Sequence, residues 1–371
     1  MNYGKIYHRL TEYYGKAPYF LSNGYAFPPL HIFFELTYRC NLRCSMCQFL
    51  PLIEDYNSLP YSNEELTTEE IKGIIDQLPR FSLITFTGGE PFLRKDFLDI
   101  LEYTSRRNKC HIITNGASIT EKIAMTLIHK GCDNIFKKGL VLIAVSIEGG
   151  EDIHDKIVGK KGSFRKSTEG IRQLVQYRRE KKKKYPLINI STVMSAENSG
   201  NFSEMVKIAD ELGVDIISFL TMNPYSFSDR FHETSLEEIR GYTRPAINLD
   251  ANQLSTLNSQ LLTLNSMMGK TRVQIRFSPP GVPVSNIIKF YEGTAVPEDY
   301  KCFSPWSKLA ITSRGDVVPC INYKFGNLRE KTFKEIWNGE EAVRFRKSLK
   351  NDNIFPLCFG CCMLEYTGNG Q

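Results

Sequence analysis

The sequence lacks the features of a membrane protein, a secreted scaffold or a disordered chain. No apolar run approaches the roughly 20 residues that cross a bilayer, and the longest, residues 140–147, fits one buried strand. Residues 1–29 lack the apolar core of a signal peptide. At 42% hydrophobic residues, the chain is too apolar for intrinsic disorder. We therefore expect a folded, cytoplasmic protein without a membrane span.

A large excess of charge of one sign is also missing. The 47 basic and 41 acidic side chains leave a formal net charge of +6, part of which comes from a basic run at residues 179–184. Such a run is more often the solvated end of a helix than a nucleic-acid patch, so we expect no specific nucleic-acid binding. The length of 371 residues suits two domains, or one large α/β domain with an appendage, and needs no disulfides to fold.

Cysteine, in contrast, is abundant, and its spacing is informative. Cys40, Cys44 and Cys47 form a C-x3-C-x2-C triad. Three thiolates can hold three irons of a cubane [4Fe–4S] cluster and leave the fourth iron open. A structural zinc site needs four ligands, and no fourth cysteine or histidine follows within reach, so zinc is the weaker interpretation. Cys110 and Cys132 stand alone and are expected to be buried structural thiols.

The hydrophobic pattern alternates between strands and helices from residue 30 to residue 277. Seven strands are predicted at residues 30–36, 83–87, 111–114, 141–147, 187–193, 216–221 and 272–277. Six helices are predicted between them at residues 68–78, 96–107, 120–130, 164–182, 202–212 and 253–268. This order predicts an α/β fold with a parallel sheet, an open or partial (β/α)6–7 TIM-like barrel.

Polar or glycine-rich motifs follow the first four predicted strands. The cysteine triad follows the first, and the sequences TGGEP, TNG and SIEG, at residues 87–91, 114–116 and 146–149, follow the next three. Active sites in such folds lie at the carboxyl ends of the strands. We therefore expect these four motifs to share one rim of the barrel.

The triad, with Met46 at the apolar position before the third cysteine, resembles the CxxxCxΦC signature of the radical S-adenosylmethionine (radical SAM) superfamily. The resemblance implies an enzyme whose triad holds a [4Fe–4S] cluster that binds S-adenosylmethionine. It also implies reductive cleavage of S-adenosylmethionine to a 5′-deoxyadenosyl radical, which abstracts a substrate hydrogen. An external one-electron reductant of the flavodoxin or ferredoxin type would supply the electron.

The same resemblance implies residues that contact S-adenosylmethionine. Glu90 in the GGE motif would bind the methionyl amino group, and Ser146 and Glu148 would bind the ribose, although both segments also read as ordinary turns. The full set of expected contacts is Met46, Gly88, Gly89, Glu90, Asn115, Ser146, Glu148 and Met194. Val158 stands where many relatives carry arginine, and Arg165 is near enough in sequence to replace it.

The last 70 residues carry a second group of cysteines. They are spaced C-x12-G-x4-C, then C-x2-C-C, at Cys302, Cys320, Cys358, Cys361 and Cys362. This spacing resembles the auxiliary-cluster domain called SPASM, or its shorter relative called Twitch. The resemblance implies one further closed [4Fe–4S] cluster on Cys302, Cys320, Cys358 and Cys361, with a closed zinc site as the alternative. Cys362 is then a replacement ligand, an inert thiol or a hydrogen donor.

These expectations divide the chain into four parts. Residues 1–29 form an N-terminal extension, 30–280 the partial barrel, 281–300 a connector, and 301–371 a small α+β auxiliary-cluster domain. The extension is too short for the peptide-recognition domain of many relatives, so we expect a small-molecule substrate rather than a peptide.

The preferred reaction is the oxidation or epimerisation of a polar small molecule such as a sugar or cyclitol, by an oxidoreductase or isomerase. A peptide- or protein-modifying maturase is the alternative, and an iron–sulfur electron carrier is the alternative without catalysis. Substrate contacts are expected from the later strands, around residues 223–225 and 276–278, and from the auxiliary-cluster domain.

Overall fold

The structure is a computed structural model that describes residues 3–56, 64–134, 136–223, 234–243, 247, 249–320 and 322–368, with side chains from residue 10 onward. Pro224 and Tyr225, two of the expected substrate contacts, lie outside the described residues. No helix in the described part of the chain is long and apolar enough to cross a membrane.

The strands and helices alternate along most of the chain. The strands are β1 His31–Glu35, β2 Leu83–Thr87, β3 Lys109–Thr114, β4 Gly139–Ser146, β5 Leu187–Met194, β6 Ile216–Thr221, β7 Gln274–Ser278, β8 Tyr300–Lys301, β9 Lys308–Ile311, β10 Asp316–Val318, β11 Gly326–Asn327 and β12 Glu365–Tyr366. The helices are α1 Tyr3–Leu21, α2 Leu50–Glu54, α3 Thr68–Gln77, α4 Phe97–Ser105, α5 Glu121–His129, α6 Glu151–Ile157, α7 Ser163–Glu180, α8 Phe202–Leu212, α9 Leu236–Gly241, α10 Ala251–Met267, α11 Val284–Tyr291, α12 Phe333–Trp337 and α13 Glu340–Asp352.

The main sheet contains ten strands in the order β11-β10-β9-β1-β2-β3-β4-β5-β6-β7. Strands β1 to β7 pair in parallel and in chain order, with helices between them. The sheet ends at β11 and β7, which are not paired with each other, so the barrel is open. The predicted partial barrel of the α/β class is therefore confirmed.

Each parallel strand turns one face to the helices and the other to the barrel interior. Ile32 and Phe34 of β1 are fully buried on the helix-facing side. The interior side is more polar, because the Thr85 hydroxyl of β2 lies 2.6 Å from His31 Nε2 and 3.0 Å from His111 Nδ1. A polar interior leaves room for a ligand, whereas small closed barrels are filled with aliphatic side chains.

Three C-terminal strands, β9, β10 and β11, continue this sheet, whereas β8 and β12 pair with each other in a separate two-stranded sheet. Strand β9 pairs in parallel with β1, placing Lys308 opposite His31, and β10 and β11 follow in antiparallel. Helix α1 packs on the same region, with the Tyr19 ring 4.8 Å from that of Phe303 and 4.9 Å from that of Trp306. The N-terminal extension and the C-terminal segment are thus in direct contact.

Candidate active site and cluster sites

The first site is the loop after β1 that carries the cysteine triad. Its start is fixed by the loop after β2, because Gly89 N donates to Thr37 O at 2.7 Å and Glu90 N donates to Arg39 O at 2.8 Å. A Cβ on Gly89 would lie 2.3 Å from Arg39 O, so this approach requires glycine. The adjacent Gly88, with a φ of +124°, would meet Thr37 O at the same distance. In the structure these glycines therefore bring two loops together.

The three triad thiols lie close enough to one another to interact electrostatically. Burial raises the pKa of all three, that of Cys47 to about 11, so without a bound cation they stay protonated. Three soft sulfur donors fit iron, whose positive charge would deprotonate them. No three acidic, histidine or cysteine groups among the described residues are placed to hold a single metal ion, whereas a cubane cluster spreads its ligands over separate irons.

Glu90 is a buried carboxylate on the same rim. It is 0% exposed and accepts hydrogen bonds from the Thr114 hydroxyl at 2.9 Å, Asn115 N at 2.8 Å and Phe92 N at 3.1 Å. Burial raises its pKa to about 7, and no cation in the described part of the chain forms an ion pair with it. A buried carboxylate without a protein cation suits a ligand that brings an ammonium group.

Asn115 joins this rim to the triad loop. Its backbone N–H binds Glu90, and its side-chain Nδ2 donates to Asn41 Oδ1 at 2.8 Å, next to Cys40. Ser167 of α7 holds the Asn115 carbonyl at 2.6 Å. The structure thus brings the GGE motif, the TNG motif and the triad together, as the sequence order predicted.

Glu148, beyond the end of β4, is the second buried carboxylate of the rim. It accepts from Val193 N at 2.8 Å, and burial raises its pKa to about 8. It lies close enough to Cys44 to raise the pKa of that thiol. Asn198 Nδ2 donates to Glu148 O and to Val193 O, both at 2.8 Å, so this amide braces the rim.

The remaining expected contacts with S-adenosylmethionine differ in how exposed their side chains are. Ser146 and Met46 are half-buried, whereas the Met194 side chain is fully buried in the apolar core. Only the backbone of Met194 is tied to a partner, because its carbonyl accepts the Tyr291 hydroxyl at 2.7 Å.

Arg165 does not take the place of the arginine missing at Val158. Its side chain is 78% exposed and pairs with Glu151 at 2.7 Å. Val158 itself is buried, and its carbonyl accepts from Arg43 N at 3.0 Å, which supports the triad loop.

The second site is formed by the C-terminal cysteines. Cys358 interacts electrostatically with Cys302 and Cys320, and Cys361 interacts with Cys320 and Cys358. Burial raises the pKa of Cys358 and of Cys302, the latter to about 11. The four thiols expected to hold an auxiliary cluster are therefore together, and they fit a sulfur-ligated iron cluster as the triad does.

The fifth C-terminal cysteine and the two isolated ones differ in their surroundings. Cys362 shares a side-chain hydrogen bond with Cys361. Cys110 and Cys132 are buried at 0% and 4% exposure. Cys110 packs within the apolar core, which agrees with a structural thiol.

A cavity of about 270 Å³, which we call the inner chamber, lies between the C-terminal cysteines and the segment that follows the triad. One side is formed by Gln48 and Phe49, directly after the triad, and by Glu35 and Thr87 at the ends of β1 and β2. The other side is formed by Cys320, Cys358, Cys361, Cys362 and Met363. A substrate in this chamber would contact the C-terminal cysteines and lie next to the segment that directly follows the triad.

Lys308 is a residue of this chamber that sequence reasoning missed. Its Nζ lies 3.5 Å from Met363 Sδ, and its positive charge is close enough to the Cys302 and Cys362 thiols to interact with them electrostatically. A lysine that opens a four-residue strand has no motif around it. Only the pairing of β9 with β1 brings it into the barrel.

Two families of known proteins match separate parts of the chain. Residues 34–209 match the Radical SAM superfamily, and residues 302–362 match the iron-sulfur cluster-binding domain SPASM. The AdoMet-dependent heme synthase of Oleidesulfovibrio alaskensis is 25% identical over 361 residues, covering 92% of this chain and 84% of that protein. The cysteine-type anaerobic sulfatase-maturating enzyme of Clostridium novyi is 24% identical over 358 residues, covering 87% of this chain and 84% of that protein.

A solved structure shares the fold. Streptococcus suis SuiB bound to the precursor peptide SuiA superposes with a TM-score of 0.60 at 16% identity, covering 90% of this chain and 71% of that chain. The chain therefore belongs to the radical SAM superfamily and carries a C-terminal SPASM domain, and its cofactors are S-adenosylmethionine and [4Fe–4S] clusters.

Proposed function

We propose that this radical SAM enzyme modifies a peptide or protein by abstracting a hydrogen atom from it. The inner chamber is the observation that carries the proposal, because it is lined on one side by residues that directly follow the triad and on the other by the C-terminal cysteines. The relatives favour a peptide over the sugar or cyclitol preferred from the sequence, since one is named a sulfatase-maturating enzyme and a protein of the same fold is bound to a precursor peptide.

The cofactors would be divided between the two sites. Cys40, Cys44 and Cys47 would hold one [4Fe–4S] cluster, and Cys302, Cys320, Cys358 and Cys361 would hold a second. When bound, S-adenosylmethionine and the first cluster supply the radical chemistry that removes the substrate hydrogen.

The chain's own residues would bind and orient these groups. Glu90 would accept the methionyl ammonium, because its buried oxygens are held in place by Thr114 and Asn115. Glu148 would accept the ribose hydroxyls, and Asn198 fixes the backbone that presents it. Phe49 and Thr87 would form the wall between the cofactor site and the chamber.

The four C-terminal thiolates would leave no iron open, which suits electron transfer better than substrate coordination. Removing a hydrogen atom and then an electron oxidises the substrate by two electrons. The position of these cysteines beside the chamber supports their role as the electron acceptor. Cys362 also lines the chamber, where its thiol could instead return a hydrogen atom to the substrate.

Cofactor assignment is tested by anaerobic reconstitution of the wild type, Cys44→Ala and Cys358→Ala. Each variant should lose the iron and sulfide of one cluster, and only Cys44→Ala should abolish 5′-deoxyadenosine formation with dithionite. Cys110→Ala is the matched control, because that thiol lies apart in the apolar core. Full cleavage activity in Cys44→Ala would contradict the triad assignment.

The substrate class is tested by deuterium transfer. Cells that naturally make this enzyme are grown in deuterated medium. Their extract is separated by size into a peptide and protein fraction and a small-molecule fraction. Each is incubated with the reduced holoenzyme, and deuterium in the 5′-deoxyadenosine product is measured by mass spectrometry. Enrichment from the peptide and protein fraction is expected. Enrichment only from the small-molecule fraction would favour the sugar or cyclitol instead.

A further inference from the structure

A second and larger cavity opens at the opposite end of the barrel from the buried carboxylates. Its volume is about 770 Å³, and the first residues of several strands line it, including Leu83, Lys109, Leu187 and Ile216. We call it the amino-terminal mouth. It shares Ser304, Lys308 and Met363 with the inner chamber, so the two cavities meet at these side chains.

The charges around the mouth are unbalanced. Four cations line it, at Lys16, Lys109, Arg276 and Lys308, against two acids, Glu12 and Glu365. Lys16 forms ion pairs with both of these acids, at 2.6 Å with Glu12. The carboxylates of the mouth are therefore already bound by one lysine on α1.

Arg276 and Lys308 have no such partner. In the described part of the chain neither forms an ion pair with a carboxylate, and their hydrogen bonds go to Gln274 Oε1 at 2.8 Å and Met363 Sδ at 3.5 Å. Arg276 pairs in register with Ser218, whose hydroxyl binds the interior residue Asn189, so it faces the barrel interior. A guanidinium that lines a cavity without a carboxylate partner can form a charge-assisted hydrogen bond with the carboxylate of a ligand.

We propose that Arg276 and Lys308 bind a carboxylate of an acidic peptide that enters through the amino-terminal mouth. This inference rests on the proposed function, because it names the chemistry of the peptide and its route. The opposite rim holds the residues assigned to the cofactor, so the mouth is the open approach to the chamber. A peptide anchored at Lys308 would place its next residues beside Cys361 and Cys362.

The size of the mouth favours a peptide over a lone small acid. Its volume is nearly three times the 270 Å³ of the inner chamber, which alone would hold one side chain or a small molecule. The two cavities in sequence suit an extended chain that presents one residue to the chamber.

The test is binding of a fluorescein-labelled hexaglutamate peptide to the reconstituted holoenzyme with S-adenosylmethionine, measured by fluorescence anisotropy. Arg276→Gln and Lys308→Gln should each raise the Kd about tenfold, the loss expected for one charge-assisted contact. Arg172→Gln and Lys207→Gln remove the same charge from the outer helices and should leave the Kd unchanged. A labelled hexaglutamine peptide should bind weakly to every form.

A charge-conserving variant and a competing small acid complete the binding test. Arg276→Lys keeps the charge and should bind more tightly than Arg276→Gln, which separates a lost charge from damage to β7. Equal losses in Arg276→Gln and Arg172→Gln would overturn the inference, because binding would then follow total charge. Displacement by free glutarate at the peptide's own Kd would also overturn it in favour of a small acid.

This binding assay is independent of the deuterium-transfer test. If hexaglutamate binds through Arg276 but no peptide donates deuterium, the proposed function fails while the mouth still binds acidic chains. If peptides donate deuterium but Arg276→Gln binds hexaglutamate as the wild type does, only the mouth assignment fails.

Discussion

Gly89 shows how one missing side chain positions the cysteine triad. A methyl group there would lie 2.3 Å from Arg39 O, and the clash is with backbone that cannot rotate away. Gly89→Ala should destabilise the protein by about 1–3 kcal/mol, as overpacking does, and weaken iron retention.

Gly73→Ala is the control, because nothing lies within 4 Å of its added carbon, and it should stabilise α3 by about 0.5–1 kcal/mol. Urea unfolding and iron analysis measure both. Equal stability of the two variants would refute this account.

Glu148 should make the stability of the metal-free protein depend on pH. Burial raises its pKa to about 8, whereas the unfolded chain has the ordinary value of 4.5. Between these values the unfolded state ionises and the native state stays protonated, so stability falls as the pH rises through this window. Glu148→Gln can still accept from Val193 N but cannot ionise, so it should gain about 1 kcal/mol or more over the wild type at pH 8 relative to pH 5.

The measurement for Glu148 is the urea midpoint of both proteins at the two pH values. Glu169→Gln, which changes an exposed carboxylate on α7, is the matched control. A Glu148→Gln difference that stays constant from pH 5 to pH 8 would show that the carboxylate is already ionised in the folded protein.

The sequence predicts which residues meet at the carboxyl ends of the strands, but not what each of them contacts there. Motif order placed Glu90, Asn115 and the triad together, because parallel strands end at one edge. It could not show that Gly88 and Gly89 hold Thr37 and Arg39, since this requires the distance between two loops. Nor could it predict Lys308, whose position depends on pairing between strands far apart in sequence.

At the scale of the elements, α6 and the turn between α6 and α7 hold the triad loop in place through hydrogen bonds. Ile157 O and Val158 O, at the end of α6, accept from Ser45 N and Arg43 N on either side of Cys44. Asp155 holds the turn between the two helices, because its carboxylate accepts from the backbone N–H groups of Gly162 and Phe164.

Asp155→Ala should therefore lower the free energy of unfolding by about 1–2 kcal/mol, because two backbone N–H groups lose their acceptor. It should also speed the loss of iron under a chelator, since the carbonyls beside Cys44 lose their support. Asp155→Asn keeps one acceptor oxygen and should lose about half as much. Thr332→Ala removes the cap of α12, away from the triad, and should lower stability without changing iron loss. If Asp155→Ala and Thr332→Ala change the rate of iron loss equally, α6 does not hold the triad loop specifically.

The barrel elements were predictable because their periodicity is strong. All seven predicted strands and all six predicted helices exist, with ends shifted by a few residues. Residues 1–29 are predicted only as an extension, whereas the structure has helix α1 there, with Pro18 inside it. Helix α6 was missed because its seven residues carry mostly charged side chains, and tertiary contacts determine it.

At the scale of the whole molecule, strands β9, β10 and β11 of the C-terminal segment belong to the same sheet as the barrel strands. Strand β9 covers the edge of β1, and the inner chamber and the amino-terminal mouth both depend on residues from each part. A sequence divided by motifs suggests two separate domains. The shared sheet instead implies that the triad loop, the inner chamber and the amino-terminal mouth belong to one cooperative unit. They should therefore unfold together.

Arg346 tests this continuity, because it joins its own segment to two segments that are distant in sequence. Its fully buried guanidinium donates to Pro305 O at 2.8 Å, Gly24 O at 3.2 Å and Asn338 Oδ1 at 3.1 Å, and it stacks over the Trp337 ring at 4.2 Å. Arg346→Ala leaves these buried acceptors unpaired and opens a cavity, so it should lower the free energy of unfolding by about 3 kcal/mol or more.

Arg344, two residues earlier on α13, is the matched control for that substitution. It is 52% exposed and forms ion pairs with Glu340 and Glu341 on its own helix, so Arg344→Ala should change stability by less than about 1 kcal/mol. Urea unfolding followed by circular dichroism and by tryptophan fluorescence measures both variants. If the parts form one cooperative unit, the two signals of Arg346→Ala should shift together, because Trp306 and Trp337 report the C-terminal segment and circular dichroism is dominated by the barrel. An early fluorescence transition with an unshifted circular dichroism transition would show that the C-terminal segment unfolds alone.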